Sequence, residues 1–238
     1  MNICIIPARG GSKRIPRKNI KEFNGIPIIA YSIKAAIDSN CFDKVIVSTD
    51  DEEIASVSKF YGAEIPFIRP QELSNDYIDT ISVIKHAIEW FEDNNITIKY
   101  VCCLYATAPF IQSKIISDAY VQLKDSEASY CFSVTSFPFP IQRSIKITSQ
   151  NRLNMFYPEQ FNSRSQDLEE AYHDAGQFYW GHSNAFKEEL PVFSELATPY
   201  LLPRFLVQDI DSTEDWIRAE AMYQVLLRTK ILPKLFTY

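Results

Sequence analysis

No run of about 18 apolar residues occurs in the chain, so no segment is expected to cross a membrane as a helix. The first residues, Met1 and Asn2 followed by Ile3 to Ile6, lack the basic region and long apolar stretch of a secretory signal, and a cytoplasmic location is expected. Positive charge is not in excess: 24 Lys and Arg stand against 30 Asp and Glu, a net charge of -6, so neither nucleic acid nor an anionic membrane is an expected partner. Histidine is scarce, and His86, His173 and His182 are scattered; with no C-x-x-C or H-x-x-x-H spacing, no zinc site is expected. The five cysteines are an odd set. Cys4, Cys102, Cys103 and Cys131 lie in apolar, strand-like runs and Cys41 follows a helix end, which fits free thiols in a reducing compartment better than a disulfide framework. Glycine numbers only six, and neither G-x-G-x-x-G nor G-x-x-x-x-G-K-[ST] occurs, which excludes the dinucleotide and P-loop fingerprints.

What is present reads as one α/β domain: 238 residues, 46% hydrophobic, with apolar stretches alternating between strand and helix periods. Strands are expected at Ile3 to Pro7, Lys44 to Thr49, Ala63 to Ile68, Tyr100 to Leu104 and Tyr130 to Val134. Helices are expected at Pro27 to Ser39, Asp51 to Tyr61, Ile78 to Phe91 and Gln112 to Lys124. This alternation predicts a mostly parallel sheet with helices on both faces. From Phe137 to Ala171 prolines, aromatics and polar residues show no clean period, so 137–171 is read as an inserted subdomain within a single domain spanning 1–238. Alternation resumes at Gly176 to Trp180 and Leu201 to Ile210, and a last helix is expected from Thr213 to Arg228.

Residues 7 to 21, Pro-Ala-Arg-Gly-Gly-Ser-Lys-Arg-Ile-Pro-Arg-Lys-Asn-Ile-Lys, concentrate six cations and no acid in an otherwise acidic chain. Such a segment repels itself, a cost that becomes useful if a polyanion binds, because Lys and Arg form charge-assisted bonds to phosphate oxygens. Gly10 and Gly11 would permit positive φ and close approach of backbone N–H groups to phosphate. A solvated basic loop is the competing explanation. Its position favours a ligand, because it leaves the carboxyl end of the first strand, where open α/β sheets bind theirs.

The segment Pro7-Ala-Arg-Gly-Gly-Ser-Lys-x-x-Pro-x-Lys-Asn19 resembles the nucleotide-binding signature of the CMP-sialic acid synthetases. The resemblance continues, in order, through Val47-Ser-Thr-Asp50, Arg69-Pro-x-Glu-Leu73, Arg164-Ser-Gln-Asp-Leu168 and Asp209-Ile-Asp211. Within that family, Tyr105 to Phe110, Phe137 to Arg143 and Asp174 to Trp180 look most like the pseudaminic acid cytidylyltransferases. The resemblance implies a Rossmann-like nucleotidyltransferase fold and a homodimer whose inserted subdomain reaches into the partner's active site. It also implies a reaction in which the 2-hydroxyl of a nine-carbon acidic sugar attacks the α-phosphate of CTP, with Mg²⁺ present, releasing pyrophosphate.

Roles follow from the same resemblance. Arg9 and Lys18 match triphosphate cations and, with Asp211, are the catalytic candidates; Ala8, Gly10, Gly11, Ser12, Lys13 and Asn19 form the CTP loop. Arg69 and Thr80 align with nucleotide contacts, although Asp79 or Thr80 could equally be a helix N-cap. Asp209 and Asp211 flank Ile210, so in a strand both carboxylates share one face and could hold Mg²⁺, while Asp or Ser in 211–215 could also cap a helix. Gln142, Arg143, Arg164, Gln166, Tyr105 and Tyr179 are assigned to the sugar. Phe139, Phe178 and Trp180 are read as packing residues. Sialic acid enzymes usually carry glutamine where this chain has Tyr105, a departure that favours a differently substituted sugar. No general base stands out, with His173 beside Asp174 as one candidate. A nucleotide-binding scaffold without turnover is the alternative from another class, against which the joint presence of Arg9, Lys18, Asp209 and Asp211 argues.

Overall fold

The structure is a computed structural model and describes residues 1–236. It begins with β1 (Asn2–Pro7), β2 (Glu22–Phe23), β3 (Ile26–Pro27), α1 (Ile28–Asp38), β4 (Lys44–Ser48) and α2 (Glu52–Phe60). The middle holds α3 (Thr80–Asp93), β5 (Tyr100–Leu104), α4 (Ser113–Asp125), β6 (Tyr130–Ser136), β7 (Ile145–Ile147) and β8 (Leu153–Met155). It closes with β9 (Tyr172–His182), α5 (Ser183–Lys187), β10 (Ala197–Leu201) and α6 (Thr213–Arg228).

Six strands form one sheet in the order β10-β6-β9-β5-β1-β4. β1 pairs in parallel with β4 and β5, and β10 with β6; only β9 runs antiparallel to its neighbours. The pleat sorts the side chains of β1 between two cores. Cys4 and Ile6 pack with Ile29, Ile33, Ile116 and Trp180 under α1 and α4, whereas Ile3 and Ile5 pack with Ile84, Ile88, Phe91 and Phe186 under α3 and α5. Burial on both faces explains why these central strands are continuous apolar runs. A third cluster, Phe23, Tyr31, Phe110, Trp216 and Tyr223, seats α6 against α1 with edge-on ring contacts. Cys4, Cys102, Cys103 and Cys131 are buried and all five cysteines are free. Among the described residues no helix is long and apolar enough to cross a membrane.

Three expected strands are corrected. Ala63 to Ile68 makes a single bridge, Ile46 to Glu64, because Pro66 has no N–H with which to extend the ladder. The strand expected over Leu201 to Ile210 lies earlier, at Ala197–Leu201; Pro203 opens a short 3-10 turn, and residues 207–211 run outside any ladder. Gly176 to Trp180 is the second half of an 11-residue strand that bends in its middle. The excursion 137–171 contains 3-10 turns and the small β7–β8 hairpin, and it leaves Phe139, Ile147, Leu153 and Phe161 exposed.

Candidate active site

The basic loop starts where β1 ends, and the sheet itself fixes its first residue: the Ala8 N–H donates to the Ser48 carbonyl at 2.9 Å. Ala8 is thereby buried and spends its amide on β4, so it supports the loop instead of facing a ligand. Gly10 likewise donates its N–H to Asp50 Oδ1 at 2.9 Å. Neither Gly10 nor Gly11 has positive φ, contrary to the reason expected for them. Gly10 is required for space: a Cβ there would lie 2.7 Å from Asp51 Oδ2, and nothing lies within 4 Å of one on Gly11. The residue with left-handed backbone is Arg17, at φ 55°.

The loop's self-repulsion is countered by carboxylates from three other segments. Arg17 forms a fork with Asp51 at 2.5 and 2.8 Å and also reaches Glu53. That pairing, aided by the Ile54 N–H at the start of α2, holds the Asp51 carboxyl down at about 2. Arg9 meets Asp76 at 2.7 Å and Lys13 meets the same carboxylate, whose pKa both cations lower, Lys13 foremost. Arg14 contacts Asp211 at 2.7 Å. Lys18 donates to the Ile210 carbonyl at 2.7 Å and stands 3.5 Å from Asp211. Asn19 is buried and donates to the Arg9 carbonyl at 3.0 Å, closing the loop on itself.

Arg69 is only 4% exposed. Its N–H donates to the Thr49 carbonyl, its Nε to Ser74 at 3.1 Å, and its guanidinium lies 3.8 Å from Asp50. Burial lowers its pKa, while Asp50 opposes the shift and Arg9 reinforces it. The motifs around Asp50 and Arg69 therefore buttress the loop from behind. Asp79 caps α3 through the Ser82 N–H at 2.9 Å, which frees Thr80, the first helical residue, to face the cavity.

These elements enclose a polar cleft of about 410 Å³ lined by Arg9, Ser12, Lys13, Arg14, Lys18, Asn19, Arg69, Thr80 and Tyr105. Asp76 and Asp79 also line it; Asp79 was expected only as a possible helix cap, and Asp76 was not expected at all. A signal for Asp76 was available: it lies three residues past the Arg-Pro-x-Glu-Leu motif in a turn-forming Ser-Asn-Asp stretch. A second, largely apolar pocket of about 300 Å³ shares Thr80 and Tyr105 with the cleft and is walled by Ile81, Ile84, Tyr179, Leu190, Val192 and Phe193.

Asp209 and Asp211 flank buried Ile210 but not in a strand, and neither lines the cleft directly; Asp211 touches it through Arg14 and Lys18. Partial desolvation and then the charge of Asp211 raise the Asp209 pKa. Ser212, not Asp211, caps α6, in a reciprocal capping box with Asp215. Gln142, Arg143, Arg164 and Gln166 are not brought to either pocket of the same chain. Gln142 donates to the Glu169 carbonyl, Arg143 ties to the Phe161 and Ser163 carbonyls, and Arg164 pairs with Asp167 at 2.7 Å. Phe178 and Trp180 are core residues, while Phe139 is largely exposed. His173 packs against Phe137 with its Nδ1 2.8 Å from the Asp174 carbonyl oxygen, outside both pockets.

A mostly parallel sheet that delivers a cationic loop, a buried arginine and a polar cleft to its strand ends has the architecture of a nucleotidyltransferase. The family model for cytidylyltransferases matches residues 3–202, and the chain belongs to that family. It is 47% identical over 224 residues to a pseudaminic acid cytidylyltransferase of Campylobacter jejuni, covering 94% of this chain and 97% of that one. A CMP-N,N'-diacetyllegionaminic acid synthase of Legionella pneumophila is 32% identical over 230 residues, with 94% and 96% covered. The fold is shared with CMP:2-keto-3-deoxy-manno-octonic acid synthetase complexed with CTP, at a TM-score of 0.67 and 14% identity over 97% of this chain and 99% of that one.

Proposed function

We propose that this protein couples CTP to a nonulosonic acid, pseudaminic acid in particular, giving the CMP-sugar and pyrophosphate. The observation that carries this reading is the pair of joined pockets: a cationic cleft for a triphosphate opening at Thr80 and Tyr105 into an apolar pocket for a substituted sugar. The sugar 2-hydroxyl oxygen bonds to the α-phosphorus of CTP as the bond to the bridging oxygen breaks, and pyrophosphate leaves with that electron pair. Arg9, Lys13 and Lys18 neutralise charge on the triphosphate, which is where catalysis of such transfers mostly resides.

Asp209 and Asp211 suit a divalent cation, for which we propose Mg²⁺. Desolvation first, and then the charge of Asp211, raise the Asp209 pKa, and a dication beside the two carboxylates would offset both. Two carboxylates suffice when phosphate oxygens complete the shell, in keeping with the absence of a self-sufficient three-ligand metal cluster among the described residues. When bound, the cation would supply further charge neutralisation on the triphosphate. We also propose that 137–171 is the dimerisation segment, supported by its exposed apolar side chains, and that Arg143 and Arg164 serve the partner's sugar site, since they line neither the cleft nor the apolar pocket of their own chain.

Incubation with CTP, Mg²⁺ and individual nonulosonic acids, followed by pyrophosphate measurement, tests the reading. Release with pseudaminic acid at the highest kcat/KM is expected; release with sialic acid alone would refute the sugar assignment, and no release with any sugar would refute the enzyme reading.

A further inference from the structure

Glu189 follows the end of α5, where the chain turns back through a left-handed residue. The Glu189 N–H donates to the Phe186 carbonyl at 3.2 Å and the Leu190 N–H to the Ala185 carbonyl at 3.0 Å, the pair of bonds that closes a helix through a residue of positive φ. Glycine suits that position best, yet the chain places glutamate there at φ 54°. A side chain retained against the preference of its own backbone points to a use for that side chain.

Glu189 lines the apolar pocket and, among the described residues, is the one charged residue that does. Lys85 on α3 donates to Glu189 Oε1 at 2.6 Å and so fixes the carboxylate, while Oε2 accepts no hydrogen bond among the described residues. The same pairing locates Glu189 along the pocket. Thr80, shared with the cationic cleft, is the first residue of α3, and Lys85 stands five residues further on, about 7.5 Å along the axis at 1.5 Å per residue. Glu189 accordingly lines the pocket but not the cleft. The joined cavity thus runs from the cations Arg9, Lys13 and Lys18, past the apolar walls Ile81 and Ile84, to a carboxylate.

We infer that Glu189 is a specificity-determining residue: its carboxylate accepts a hydrogen bond from a neutral O–H or N–H donor, a hydroxyl or acylamino group, on the part of the sugar remote from the reacting 2-hydroxyl. This deepens the nonulosonate reading above and rests on it. The 2-hydroxyl and the carboxylate of such a sugar sit on adjacent carbons, so both belong at the cationic end, and repulsion from Glu189 keeps the sugar's acid away from the far end. A neutral donor beside Glu189 gives that carboxylate a partner, and a hydrogen bond to a charged acceptor is a strong one.

The test compares wild type with E189G, E189Q and K85M, measuring KM for CTP and kcat/KM for pseudaminic acid by pyrophosphate release, with Tm for each. E189G is expected to lower sugar kcat/KM about tenfold or more, the scale of one charge-assisted hydrogen bond, with KM for CTP within about twofold. E189Q keeps an acceptor oxygen without the charge and should lower sugar kcat/KM about fivefold. The Tm of E189G should match or exceed that of wild type, because glycine adopts the left-handed backbone freely. K85M leaves the carboxylate in place and should cost sugar use about twofold or less. Equal losses toward CTP and sugar, unchanged sugar kinetics in E189G and E189Q, a marked fall in the Tm of E189G, or a loss in K85M as large as in E189G would each overturn the inference. Should E189G not fold, E189Q and K85M still separate the carboxylate from its ion pair. Wild-type protein that turns over no nonulosonic acid removes the functional reading and this inference together; wild-type turnover with unaltered variants removes the inference alone.

Discussion

Asp76 sits between Arg9 and Lys13 in the cleft. Under the proposed function it would compete with the triphosphate for these cations. Replacement by asparagine is therefore expected to lower KM for CTP by about two- to fivefold at low ionic strength, an advantage that shrinks in salt because the contacts are exposed. CTP titrations at two salt concentrations check this, and a raised KM would mean that Asp76 instead orders the loop. Asp211 gives the opposite expectation. Its contacts with Arg14 and Lys18 place it beside the phosphate cations, so Asp211→Ala should cut kcat by about a hundredfold or more while leaving Tm within a few degrees. A loss of sensitivity to Mg²⁺ titration should accompany it.

The cationic cluster after the first strand was readable from type and spacing, and Arg9 and Lys18 both line the cleft. The roles of Gly10 and Ala8 were not: what they contact, Asp50, Asp51 and Ser48, comes from 40 residues away on a neighbouring strand and its loop. Glu189 was hidden more deeply, because its place in the apolar pocket depends on the turn that ends α5 and on Lys85 of α3.

At the level of elements, α2 is where loop and sheet are tied together. Asp51 caps its N-terminus and anchors Arg17 at once. Its folded pKa, about 2, lies below the ordinary aspartate value near 4. A depressed pKa means stabilisation that is complete above about pH 4 and lost as pH falls toward 2. Asp51→Asn keeps the capping oxygen but not the charge, so it should cost about 1 kcal/mol at pH 7 and nearly nothing at pH 2. Urea unfolding at the two pH values decides, and a cost independent of pH would assign the effect to the cap alone. Long periodic elements were legible in sequence: α6 runs Thr213–Arg228 as expected, with its capping box written in Ser212 and Asp215. Strands were legible only where both faces are buried. At Ala63 to Ile68 and Leu201 to Ile210 apolar composition is present but proline interrupts the ladder, and composition alone does not reveal hydrogen bonding.

On the scale of the molecule, the question is why the arginines assigned to the sugar lie away from both the cleft and the apolar pocket of their own chain. Within one chain Arg164 is neutralised by Asp167 and Arg143 is spent on backbone carbonyls, while the excursion carrying them exposes Phe139, Ile147, Leu153 and Phe161. An apolar excursion of this kind is costly in water unless a second subunit covers it. In a two-fold dimer each sugar site would then combine the loop of one subunit with the excursion of the other. Arg9→Ala disables a site through its own loop; Arg164→Ala disables the site its excursion enters. Each homodimer should be nearly inactive. In a heterodimer of the two variants both defects fall in one site, and the other site pairs an intact loop with an intact excursion. Random pairing after co-refolding makes half the dimers mixed, so about a quarter of wild-type turnover should return. If Arg164 served its own chain, every site would carry one defect and mixing would restore nothing.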